Sequence, residues 1–142
     1  MAEHIAIEQG RPPWQPAEDA ELVEVLHHYD MPLIGVVRHG TSLHLFRCIE
    51  GHTDSSQLWA YTPLSTDEFD RLRAGDSDLD AVVAEVSARR PTVLALASDE
   101  QGVTLSALVA DPSRYETPLH AARAALGEAL NDVDAKLGRS VA

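Results

Sequence analysis

The chain has 142 residues and a mass of 15.4 kDa, enough for one domain to bury a core without disulfide or metal staples. Its 23 acidic residues outweigh 11 basic ones to a net charge of −12, which disfavours direct nucleic-acid binding and suits a basic partner. No apolar run approaches the ~20 residues of a membrane-spanning helix, and the opening MAEHIAIEQGR lacks the charged-then-apolar pattern of a secretion signal.

The single cysteine, Cys48, precludes an internal disulfide, as is usual in a reducing compartment. The expectation is a soluble cytoplasmic protein. Arginine supplies all the basic side chains except Lys136, and alanine is abundant, a composition that points to a GC-rich bacterial source.

Residues 1–16 contain Gly10, Pro12, Pro13 and Pro16, a spacing through which no helix runs. We read them as an irregular arm, with Ile5, Ile7 and Trp14 as its anchors, and residues 17–142 as a single α+β domain. Two patterns compete over residues 17–29. Glu18, Asp19 and Glu21 open a helix well, and Leu22, Val25, Leu26 and Tyr29 follow at helical spacing. Val23, Val25, His27 and Tyr29 alternate as in a strand. The spacing favours a helix from Ala17 that ends before Met31, which Pro32 pushes towards extended geometry.

Leu33–Arg38 is nearly all apolar, as in a strand covered on both faces. His39-Gly40-Thr41-Ser42 forms a turn. Leu43–Glu50 returns with Leu43, Leu45 and Ile49 on one face and His44, Phe46 and Cys48 on the other. After a polar loop, Leu58–Leu64 is a third strand. It has Trp59 and Tyr61 on one face, and Pro63 marks its end or an edge position. Ser65-Thr66-Asp67-Glu68 is a capping box opening a short helix that buries Phe69 and Leu72 and stops at Gly75. Ser77 caps a second helix through Leu79, Val82, Val83 and Val86, stopped by Pro91. Thr92–Ser98 and Val103–Ala110 flank Asp99-Glu100-Gln101-Gly102 and predict a hairpin. Thr117 and Pro118 open a last helix, whose stripe is Leu119, Ala122, Leu126, Leu130, Val133 and Leu137 and whose end is Gly138. The predicted order is α-β-β-β-α-α-β-β-α. That makes an α+β fold with a five-stranded antiparallel or mixed sheet and a long C-terminal amphipathic helix. Apolar residues on both sheet faces call for two covers. Helices supply one; the arm, the final helix or another molecule supplies the other.

Tyr29-Asp30-x-Pro32-Leu33, Gly40, Leu43-His44-Leu45-Phe46, Leu58-Trp59, Pro63-Leu64-Ser65, and Leu72 with Gly75 together resemble a family of small bacterial domains of unknown function. Members carry a Tyr-Asp-Gly-Pro-Leu-type opening, a β-meander and a Pro-x-Ser turn into a short helix. The resemblance covers roughly residues 22–110, with Met31 where the family usually has glycine. It implies a fold and brings no catalytic residue.

The chemistry-bearing side chains form no established motif. His39, His44 and His52 are the metal candidates, a zinc set from one hairpin and the following loop. They lack an HExxH or a paired cysteine, so no metal and no cofactor is expected. Asp76-x-Asp78-x-Asp80 has Ala81 where a calcium loop needs glycine and reads as helix capping. Cys48 shares a strand face with His44, an arrangement that lowers a thiol pKa when the imidazole is charged; a buried structural thiol is the plainer reading. Interface candidates are Trp59, Tyr61 and Phe46 on the strands, and Leu126, Leu130, Val133 and Leu137 on the last helix. The sequence therefore points to a non-catalytic protein–protein interaction protein: an accessory subunit, an immunity-type inhibitor or a bacterial defence component. Its partner is another protein, basic in charge, or a second copy in a homodimer, with no nucleic acid and no membrane. Two alternatives stand beside it. One is a small enzyme or ligand-binding domain using His39, His44 and His52 with Arg38 and Arg47. The other is a nucleic-acid mimic displaying Glu18, Asp19, Glu21 and Glu24.

Overall fold

Among the described residues, six strands follow one another across a single antiparallel sheet, each hydrogen-bonded to its neighbours in sequence. The computed structural model describes residues 5–29, 31–50, 56–75, 79–88, 90–115 and 118–126. The strands are β1 (Ala20–Tyr29), β2 (Met31–His39), β3 (Ser42–Glu50), β4 (Ser56–Leu64), β5 (Thr92–Ser98) and β6 (Gly102–Val109). Helices α1 (Thr66–Ala74) and α2 (Leu79–Ala88) lie between β4 and β5, and a 3-10 turn at Pro112–Arg114 leads to α3 (Pro118–Leu126). This corrects the expected α+β fold: the described chain is mostly β, with six strands instead of five and every pairing antiparallel. The helices are short. The expected long C-terminal helix is described only over Pro118–Leu126; Leu130, Val133, Leu137 and Gly138 lie outside the described residues.

The largest correction is β1, where a helix was predicted. Its pairing with β2 carries register shifts between Leu22 and Glu24, between Val25 and His27, and between His27 and His28. Each extra residue in a bulge moves the face-to-face period from two towards three. Leu22 and Val25 accordingly oppose Val37 and Gly35 on one face, while Val23 and Leu26 pack against the core on the other. A bulged strand has imitated helical spacing.

The turns follow from their residues. Gly40 takes φ +64° between β2 and β3, and Gly102 takes φ +67° where the β5–β6 hairpin closes, a region open to glycine at little cost. Ser65 caps α1: its Oγ accepts the Glu68 N–H at 3.1 Å, and its own N–H donates to Glu68 Oε1 at 2.9 Å. Gly75 ends the helix with φ 68°.

Alternation divides the apolar residues of the sheet between two faces. The arm closes one of them. Ile5 and Ala17 are buried there against Val37, Phe46, Trp59 and Tyr61, with the Trp14 and Trp59 rings edge-to-face at 6.3 Å. Several hydrogen bonds fasten the arm. Gly10 donates to the Val103 carbonyl at 2.8 Å and Val103 donates to Arg11 at 2.9 Å. The Tyr61 hydroxyl donates to the Pro13 carbonyl at 2.8 Å, and His39 meets Asp19 at 2.9 Å where the arm enters β1. On the opposite face α1 and α2 cover Val36, Leu45 and Leu64, while α3 covers Leu58, Ala60, Leu94 and Leu96. Both covers required by the two-sided strands thus come from the chain itself.

Candidate functional site

The aromatic interface candidates lie inside the molecule. Phe46 and Trp59 are fully buried and Tyr61 retains 1% of its surface, because β4 is a central strand between β3 and β5 and not the edge that Pro63 suggested. Pro63 is accommodated because the β4–β5 ladder ends at the Tyr61–Val93 pair, before the missing N–H is needed. Phe46 lies over Gly35, where an added Cβ would stand 2.6 Å from its Cζ; the β2 glycine makes room for the β3 ring. Gln57, also buried, accepts from the Trp59 indole at 3.4 Å and donates to Asp99 at 2.9 Å, tying this core to the β5–β6 turn. Leu126, the last residue of α3, is buried in the core that the helix forms with β4 and β5.

The histidine and arginine candidates do not converge. His39 and His44 occupy the arm-covered face, His44 in the core and His39 half-buried beside Asp19. Arg38 and Arg47 alternate onto the helix-covered face, Arg38 in an exposed pair with Glu21 at 3.8 Å. Among the described residues no three His, Cys, Asp or Glu side chains are placed to hold a metal ion; His52 lies outside them, as do Asp76, Ser77 and Asp78. Cys48 is not activated: burial pushes its thiol up to about 12, opposite to the shift a charged imidazole would give. Of the proposed phosphate-mimicking acids, Asp19 pairs with His39 and Glu21 with Arg38, and both stand at or beside the bulged β1.

Two further features stand out: an exposed edge that the sequence did not single out, and a half-buried arginine named above only beside the histidines. The first is the outer edge of β6. Leu105 and Leu108 remain 37% and 44% accessible, and from Leu105 to Val109 the strand pairs with β5 without a register shift and carries no charge. Among the described residues the arm bonds this edge only around Val103 and Thr104. The other edge, β1, also exposes Leu22 and Val25, but its bulges and its Glu21 and Glu24 are devices that blunt strand addition. The signal in the sequence was the uncharged run of the last strand, which a meander necessarily places at an edge.

The second feature is Arg47 on β3. Its cross-strand neighbours are Ile34 and Ala60, and Leu45 and Ile49 flank it along its own face. Leu45 belongs to the core under α1 and α2, Ile49 and Ala60 to the core under α3. Arg47 therefore stands on the strand where the two helical covers meet. Its Nε is buried without a hydrogen-bond acceptor, and desolvation lowers its pKa from the ordinary arginine value.

These features define the class: a mostly β, antiparallel meander domain, closed on both faces and, among the described residues, uncovered at the β6 edge from Leu105 to Val109. Comparison with protein-family models, with curated proteins and with solved structures gives no match, so the resemblance to the bacterial family rests on the sequence motifs alone. Among the described residues no helix is long and apolar enough to cross a membrane.

Proposed function

We propose that this chain is a non-catalytic protein–protein interaction protein of the bacterial cytoplasm, and that it receives an extended segment of a basic partner protein along the outer edge of β6. The observation that carries this reading is the uncharged, unbulged stretch Leu105–Val109 with Leu105 and Leu108 exposed on its two faces. Such an edge offers backbone donors and acceptors to an incoming strand, and its alternating apolar side chains offer contacts on either side. The net charge of −12, with Asp99 and Glu100 exposed in the turn that leads into β6, favours a cationic segment and discourages pairing between two copies. This mode of binding is open to an accessory subunit, an immunity-type inhibitor or a defence component.

A photo-crosslinking side chain placed at Leu108 in the native host tests the proposal, with Asp70 on the exposed surface of α1 as the control position. The expected adduct is a basic protein joined through an extended segment, formed from position 108 but not from 70. It should be lost in the Leu105→Lys/Leu108→Lys variant, which puts a like charge on the edge, and weakened by added salt. Equal adducts from both positions, adducts only between copies of the chain, or none would reject the reading.

A further inference from the structure

Arg47 is unlike the other arginines whose side chains are described. Arg11, Arg38, Arg71 and Arg90 each meet a carboxylate, and Arg73 lies over the Phe69 ring at 5.2 Å. Arg114 is exposed to water. Arg47 is half-buried, and no described carboxylate pairs with it in a chain that carries 23 acids. A buried N–H left without an acceptor costs about 1–3 kcal/mol, and desolvating a cation without a counter-ion adds to that cost. Nothing in the packing requires arginine there. Its neighbours Ile34, Leu45, Ile49 and Ala60 are all apolar, and an aliphatic side chain would fill the same position without the penalty.

We propose that Arg47 is a binding residue for a small carboxylate with an apolar body, held at the seam between the α1–α2 cover and the α3 cover. Charge and geometry select this class. One guanidinium balances one monoanion, and its fork matches the two oxygens of a carboxylate, with Nε–H as one of the donors. A phosphate dianion would bring a second negative charge among described neighbours that are all apolar. The apolar neighbours Ile34, Leu45, Ile49 and Ala60 reward a ligand whose non-ionic part is hydrocarbon. The ligand supplies the acceptor that the fold withholds, so binding relieves a cost already present in the folded chain. This site lies on the helix-covered face of a central strand, apart from the β6 edge, and stands or falls independently of it.

The test uses the intact chain with octanoate and benzoate as probes, and with inorganic phosphate and sodium chloride as ionic-strength controls. Octanoate or benzoate should raise the melting temperature saturably by roughly 2–5 °C, with phosphate and chloride giving no saturable rise. The Arg47 Nε–H resonance should move with the same titration. Arg47→Met should bind the carboxylates at least about tenfold more weakly and melt no lower than the natural chain when no probe is present. Arg47→Lys, which keeps the charge but not the fork, should fall between. An Nε–H resonance unmoved by either carboxylate would overturn the proposal, as would equal effects of phosphate and octanoate. Because the resonance is read on the unmutated chain, the result does not depend on any variant folding.

Discussion

Tyr61 joins the arm to the sheet through one buried hydrogen bond. Its hydroxyl donates to the Pro13 carbonyl, and burial pushes its phenol pKa up, so it remains a donor at any ordinary pH. Tyr61→Phe leaves that carbonyl without the donor and should cost about 1–2 kcal/mol in urea unfolding; an unchanged midpoint would mean that the arm is held elsewhere. Gly35 is a harder constraint. A Cβ there would stand 2.6 Å from the Glu24 carbonyl oxygen as well as from the Phe46 ring, and backbone cannot swing aside as a flexible side chain can. Gly35→Ala should therefore destabilise the fold by about 1–3 kcal/mol, and Phe46→Leu beside it should recover part of the loss. Cys48, with its thiol pushed up to about 12, should react with iodoacetamide at pH 8 on the order of 100-fold more slowly in the native chain than in the unfolded one. Equal rates would place the thiol in water.

At the scale of elements, Glu68 joins three pieces of chain. Its carboxylate closes the α1 capping box and accepts both arms of Arg90, one at 2.8 Å, while Arg90 also donates to the Pro63 carbonyl at the end of β4. Burial alone would raise the Glu68 pKa, but hydrogen bonds from Arg90 and Ser65 outweigh it and hold the carboxyl below its ordinary 4.5. A depressed folded value means that the stabilisation is complete above the unfolded pKa and is lost as pH falls through the folded one. Glu68→Gln should be less stable than the natural chain by about 2 kcal/mol at pH 7, and the gap should close as pH falls below the ordinary 4.5 and through the depressed folded value. A gap independent of pH would contradict the ion pair. The same element shows what was legible in the sequence. Ser65, Glu68 and Gly75 act locally, so the capping box and helix stop could be read directly, as could the hairpin around Asp99–Gly102 and the faces of β3 and β4. The bulges of β1 could not, because they depend on the register against β2, and by bringing Leu22 and Val25 to one face they reproduced helical spacing. The site was less legible than the fold. Trp59 and Tyr61 read as exposed anchors because Pro63 suggested an edge, and only the order of six strands shows that β4 is central. Arg47 carries no motif; its unsatisfied Nε emerges only when two helical covers meet on either side of it.

For the molecule as a whole, the arm is part of the core. Removing residues 1–14 would uncover Phe46, Trp59 and Tyr61, and such a chain should bind a hydrophobic dye and show red-shifted Trp59 emission; native-like emission would mean that the sheet is closed without the arm. With both faces covered, the sheet is left with two edge strands, and they differ. β1 is bulged and acidic, whereas β6 is regular and uncharged from Leu105 to Val109. Leu105→Lys with Leu108→Lys should leave stability within about 0.5 kcal/mol while abolishing association. The most direct measurement is amide hydrogen exchange along β6, with and without a synthetic peptide of the basic segment captured at position 108. Protein–peptide pairing through the edge predicts slower exchange confined to residues 104–109, and none gained on β1. Protection that appears on β1 or on the helices, or nowhere, would contradict strand addition at β6.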